Sequence, residues 1–107
     1  MLVRSLLDCL VEHNMTAQLP PLYQSGVRYR SEPASAESFR DARATLERGH
    51  GDCAHLAAWR CAELRRSNEA ATLVVTFAPH GRSKIFHVQV RRADGSIEDP
   101  SKELGMI

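Results

Sequence analysis

Three residues of this 107-residue chain have the types and the order that covalent catalysis needs: Cys53, His87 and Asp99. A thiolate is a potent nucleophile, an imidazole can take and return its proton, and a carboxylate can hold that imidazole in one tautomer. Cys53 follows Gly51-Asp52 at the start of an apolar-periodic stretch, His87 sits in an alternating run, and Asp99 comes just after a turn. Unpaired N–H groups and the positive end of a helix dipole favour a thiolate in a first helical turn, so Cys53 is expected to out-react the other cysteines towards alkylating agents. The backbone N–H of Cys53 is the natural first oxyanion donor, and Gln24 is a chemically suitable candidate for the second.

The elements that must position these residues can be read from periodicity. Leu2, Leu6, Leu7, Leu10 and Val11 recur at helical spacing, predicting an amphipathic helix over 2–13 with Cys9 as a small apolar filler beside the stripe. Pro20-Pro21 breaks the pattern, and 14–36 reads as a loop whose large residues pack along the surface. A helix is predicted over 35–46 with Ser35 as cap and Phe39, Ala42 and Leu46 on one face. Gly49 and Gly51 end it and leave a sharp turn. Asp52 then caps a helix from Cys53 to Arg65 or Arg66, with Ala57, Cys61 and Leu64 on its apolar face and Leu56 widening it. Strands are predicted at 72–77 and 84–92, joined as an antiparallel hairpin through Pro79 to Ser83. On the second strand Phe86, Val88 and Val90 face one way, and Ile85, His87, Gln89 and Arg91 face the other. Asp94-Gly95 marks a further turn, after which Ser96-Ile97-Glu98 starts a short third strand.

The totals bound the function. The length suits one domain, with an N-terminal helix and extended segment over 1–48 and a catalytic core over 49–101. With 14 Lys+Arg against 13 Asp+Glu, the net charge of +1 points away from nucleic acid and from anionic membranes as partners. The apolar N-terminus carries Arg4, Asp8 and Glu12, which argues against a bilayer span or a cleaved leader. Three cysteines, an odd number, argue against a disulfide framework and for a cytoplasmic setting.

The blocks Gly51-Asp52-Cys53-Ala54-His55-Leu56-Ala57-Ala58-Trp59-Arg60, Phe86-His87-Val88-Gln89-Val90 and Asp94-Gly95-Ser96-Ile97-Glu98-Asp99-Pro100 resemble the papain-like architecture. More narrowly, they resemble the transglutaminase-like superfamily and its compact phage and prophage-type members. The likeness covers roughly 49–101 and extends in those members to Leu22-Tyr23-Gln24-Ser25-Gly26-Val27-Arg28-Tyr29. It implies an α+β fold in which a nucleophile helix packs on a small antiparallel sheet, with Cys53 as nucleophile, His87 as base and Asp99 as the orienting carboxylate. It also implies phage structural proteins as a partner class and a virion-associated location as an alternative to the cytoplasm. Two departures stand out. Ala54-His55 replaces the acidic residues common after the nucleophile, with consequences for substrate contacts and local charge, and 34 residues from Cys53 to His87 is a short spacing.

Other readings compete with these. Cys9 and Cys61 sit on apolar stripes as inert core residues, Asp99 can serve as a turn cap before Pro100, and Trp59 reads as core or groove lining. His50, Cys53, His55, Cys61 and His80 lack any paired metal-ligand spacing, so neither a metal nor another cofactor is expected. The expected activity is thiol-dependent acyl transfer on a protein or peptide substrate, with hydrolysis of an amide bond favoured. The alternatives are a protein-crosslinking transglutaminase and a non-catalytic virion or tail assembly module that keeps the triad.

Overall fold

The computed structural model describes residues 2–31, 40–80 and 83–106. Its elements in chain order are α1 (Leu2–Met15), a 3-10 turn (Leu22–Gln24), β1 (Arg28–Tyr29), α2 (Ala42–Arg48), β2 (His50–Gly51), α3 (Cys53–Arg66), β3 (Thr72–His80), β4 (Ser83–Arg91), β5 (Ile97–Glu98) and α4 (Pro100–Glu103). This is an α+β domain in which β3, β4 and β5 form an antiparallel sheet and β1 and β2 pair in parallel. Among the described residues no helix is long and apolar enough to cross a membrane.

The centre of the fold is α3, and it is buried on two sides. Ala54, Ala57, Ala58 and Cys61 are small enough to let α1 and the sheet approach closely, and they pack with Leu7, Val11, Leu73, Val88 and Val90. Leu56 and Trp59 face a second cluster with Leu22, Val27, Ala42 and Leu104. A helix covered on both sides needs more than one apolar stripe, and the expected face of Ala57, Cys61 and Leu64, widened by Leu56, omits Ala54, Ala58 and Trp59. Trp59 is core.

Three other expectations change. From Arg4 onward the buried positions of α1 are Leu7, Leu10, Val11 and Asn14, an i, i+3, i+4, i+7 pattern that leaves Leu6 and Cys9 outside it, and Cys9 is exposed. The segment expected to lie along the surface supplies Leu22 and Val27 to the core. The second helix begins at Ala42 under the side chain of Asp41, which accepts from Ala44 N–H at 2.9 Å. Ser35 and Phe39, to which a cap and a face were assigned, lie outside the described residues, as do 81–82 in the hairpin connection.

The short parallel pair fixes the approach to Cys53. Arg28 N–H donates to Gly49 O at 3.1 Å and Arg30 N–H to Gly51 O at 2.8 Å, so His50-Gly51 is paired chain rather than a bare turn. Glycine is required at 51 by space. A Cβ there would lie 2.9 Å from Thr45 Cγ2 and 3.0 Å from His55 Cβ. Gly51→Ala is therefore expected to lower unfolding free energy by about 1–3 kcal/mol, seen as a lower urea midpoint at unchanged slope.

Candidate active site

Asp52 starts α3 as a reciprocal cap. Its Oδ1 accepts from Ala54 N–H at 3.1 Å and His55 N–H at 3.3 Å, while His55 Nδ1 accepts from Asp52 N–H at 3.1 Å. His55 therefore occupies the position a glutamate usually fills in such a cap. Ala54 and His55 are both buried, so their departure from the resembled pattern is explained by capping and packing rather than by a substrate contact.

This cap sets Cys53 in the first turn of α3, half-buried against β4. The Sγ–H donates to Phe86 O at 3.9 Å, and the Val88 N–H also reaches the sulfur. In an extended strand, the carbonyl of one residue and the N–H two residues on face the same edge. β3 occupies the opposite edge, where Thr76 pairs with His87, and β5 covers the Cys53 edge only at Val90 and Arg91. The helix start thus docks on a stretch of that edge which β5 does not pair with, against the two residues that flank His87.

His87 Nε2 lies 2.8 Å from Asp99 Oδ2, and Gln89 Nε2 donates to the same oxygen at 3.1 Å. Strand alternation puts residues 87 and 89 on one face, as expected, and Asp99 leaves the end of β5 on that side. Its other oxygen accepts from Lys102 N–H at 3.4 Å and caps α4. The triad and the turn-cap readings of Asp99 are therefore compatible. Burial pushes the Asp99 carboxyl up, but the hydrogen bonds from His87 and Gln89 outweigh it and hold the group below its ordinary range. An ionised carboxylate only accepts, which assigns the proton of a neutral His87 ring to Nε2 and leaves Nδ1 as that ring's acceptor nitrogen.

The thiol departs from the expected electrostatics. Burial dominates and pushes Cys53 up to about 11, with Asp52 and Asp99 adding to the rise and the Val88 and Ala54 N–H groups only partly offsetting it. The first-turn N–H effect is present and is outweighed. Cys61 is buried, donates to Ala71 O at 3.6 Å and is likewise pushed up by burial. Iodoacetamide at pH 7 is therefore expected to label exposed Cys9 ahead of Cys53 and Cys61, as peptide mapping of a time course will show.

Gln24 is exposed at the end of the 3-10 turn, and its side chain makes no hydrogen bond among the described residues. Its neighbour Tyr23 donates to Glu98, the residue before Asp99. Glu98 also accepts from Arg60 Nε of α3 at 2.7 Å and from Arg92 Nη1 at 3.0 Å, and the Arg60 guanidinium sits 4.9 Å from the centre of the Tyr23 ring. This network straps α3 to the strand that leads into Asp99. Its only local sequence signal was the cluster of unlike charges at Arg91-Arg92 and Glu98.

Among the described residues no three of His, Cys, Asp and Glu converge as metal ligands. A cavity of about 370 Å³ lies elsewhere, between Leu19-Pro20-Pro21 and the Trp59, Ala62 and Arg66 side of α3, and does not include Cys53, His87 or Asp99. Comparison of the chain with family models, curated proteins and solved structures finds no match.

Proposed function

We propose that the chain is a thiol-dependent acyl-transfer enzyme of papain-like, transglutaminase-like type, with Cys53 as nucleophile, His87 as general base and acid, and Asp99 as the group that orients the imidazole. The observation that carries this reading is the docking of the Cys53 thiol against Phe86 and Val88, on either side of a histidine held through Nε2 by an ionised carboxylate. With its thiol protonated at rest, Cys53 requires the base at the moment of attack. His87 Nδ1 takes the S–H proton as sulfur bonds to the amide carbonyl carbon. The carbonyl oxygen gathers charge near the first N–H of α3, that of Cys53, because Asp52 already serves Ala54 and His55. Collapse breaks the C–N bond, and the departing amine takes the proton from His87, leaving a thioester. Water then attacks that thioester, gives its proton to His87, and releases the acid and the thiol.

Hydrolysis is preferred to crosslinking because transfer to an amine requires a pocket that holds the amine and excludes water. The cavity beside Trp59 is not lined by Cys53, so it offers no such compartment at the sulfur. Incubating a generic peptide anilide or activated ester with the chain and with Cys53→Ala tests the reading. Acylation of the Cys53 peptide by mass spectrometry, lost in the variant and followed by release of free acid, supports it. Equal turnover by both proteins would overturn it. A labelled primary amine in the same reaction separates the branches, since amine incorporation exceeding free acid would identify a transferase.

The raised thiol also gives weight to a non-catalytic reading, an assembly module that keeps the three residues for packing. That reading expects no acyl adduct at Cys53 with any activated ester.

A further inference from the structure

We infer that Gln89 is a positioning residue of the Cys53 site, holding the Asp99 carboxylate in the one orientation that commits His87 to the tautomer with a basic Nδ1. The inference rests on the acyl-transfer reading for its catalytic consequence, though its structural half can be read without activity. Asp99 Oδ2 receives two N–H groups, from His87 Nε2 at 2.8 Å and Gln89 Nε2 at 3.1 Å, while among the described residues Oδ1 receives only the long contact from Lys102 N–H at 3.4 Å. A carboxylate oxygen has two in-plane lone pairs. Gln89 fills one and leaves the other aimed at the imidazole.

Without that second donor the carboxylate would be held by the 3.4 Å backbone contact and by the histidine it is meant to orient. The arrangement matters most in mid-reaction. When His87 has taken the thiol proton, the imidazolium must pass it to the leaving amine rather than to Asp99. A carboxylate already hydrogen-bonded by an amide is a weaker base, which agrees with the low range in which the Asp99 carboxyl is held. Gln89 sits two residues after His87 on the same face of β4, so the strand that presents the base also presents the group that fixes its partner.

The test uses the full chain carrying Cys9→Ser, which removes the exposed competing thiol. Gln89→Met keeps length and removes the donor, and Gln89→Glu keeps shape and sets a second negative charge against Asp99. Two readouts are taken: the rate of Cys53 acylation by an activated ester, and the tautomer of neutral His87 from its ring ¹⁵N shifts. We expect Gln89→Met to slow acylation on the order of tenfold, Gln89→Glu on the order of a hundredfold, and both to shift His87 towards a mixture of tautomers. A role confined to stability would lower the melting temperature while leaving the tautomer and the rate of the folded fraction unchanged, and that outcome overturns the inference. So would failure of both variants to fold. Wild-type protein with a pure Nε2–H tautomer and no Cys53 acylation would overturn the enzyme reading alone.

Discussion

His87→Ala is expected to slow acylation of Cys53 by an activated ester about 10²–10⁴-fold while leaving the fold intact. The size follows from the state of the thiol. With Cys53 pushed up to about 11, only about one molecule in 10⁴ carries a thiolate at pH 7 by simple titration, so attack depends on proton removal during the step. A positioned general base typically contributes about that range of rate. The His87 side chain is 29% exposed and bonded to Asp99, so truncation also removes some packing and one hydrogen bond, and the rate is normalised to the folded protein. In the variant only free thiolate reacts, and the rate should climb tenfold per pH unit until it nears pH 11. The wild-type rate should be far less steep. Stopped-flow acylation across pH 6–10 reads both the drop and the slope, and parallel profiles for the two proteins would remove His87 from the mechanism.

How much of this was legible depends on whether a feature is local. The start of α3 was readable because Gly51-Asp52 is a stop followed by a cap, and both act within a few residues. The hairpin and the shared face of His87 and Gln89 followed from strict alternation, although the alternation does not say what a glutamine there will touch. The pairing of Arg28-Tyr29 with His50-Gly51 left no mark, since two-residue strands have no periodicity and their partners are remote in the chain. The contact of Tyr23 with Glu98 spans 75 positions and was equally silent. Cys9 was misplaced because residues 6 and 9 lie just off the buried stripe, where a small change of helix rotation decides exposure. The error over the Cys53 thiolate has a different origin. A helix N-terminus is visible in sequence, whereas the desolvation that opposes it comes from the edge of β4 closing over the sulfur, and that is a property of the packed fold.

Asp99→Asn is expected to reduce Cys53 acylation by a further factor approaching that of losing the base, about 10²–10⁴-fold, through the wrong imidazole tautomer. Asparagine caps helices as well as aspartate does, so α4 should survive the change. What changes is the chemistry of the oxygen shared by His87 and Gln89. An amide can present N–H as readily as C=O, and an N–H facing His87 favours protonation at Nδ1, the nitrogen that must accept the thiol proton. The carboxylate also couples the site to pH. Asp99 titrates below its ordinary range in the folded chain, so its contribution to stability is fully present above about pH 4 and is lost as pH falls through the lower folded value. The stability gap between wild type and Asp99→Asn should therefore be widest at neutral pH and narrow towards pH 3. Urea titrations at pH 7, 4 and 3 measure that gap, and the ¹⁵N shifts of His87 report the tautomer in the same samples. A gap that widens on acidification would mean the carboxylate is not stabilised by His87 and Gln89, and an unchanged acylation rate would reduce Asp99 to the cap of α4.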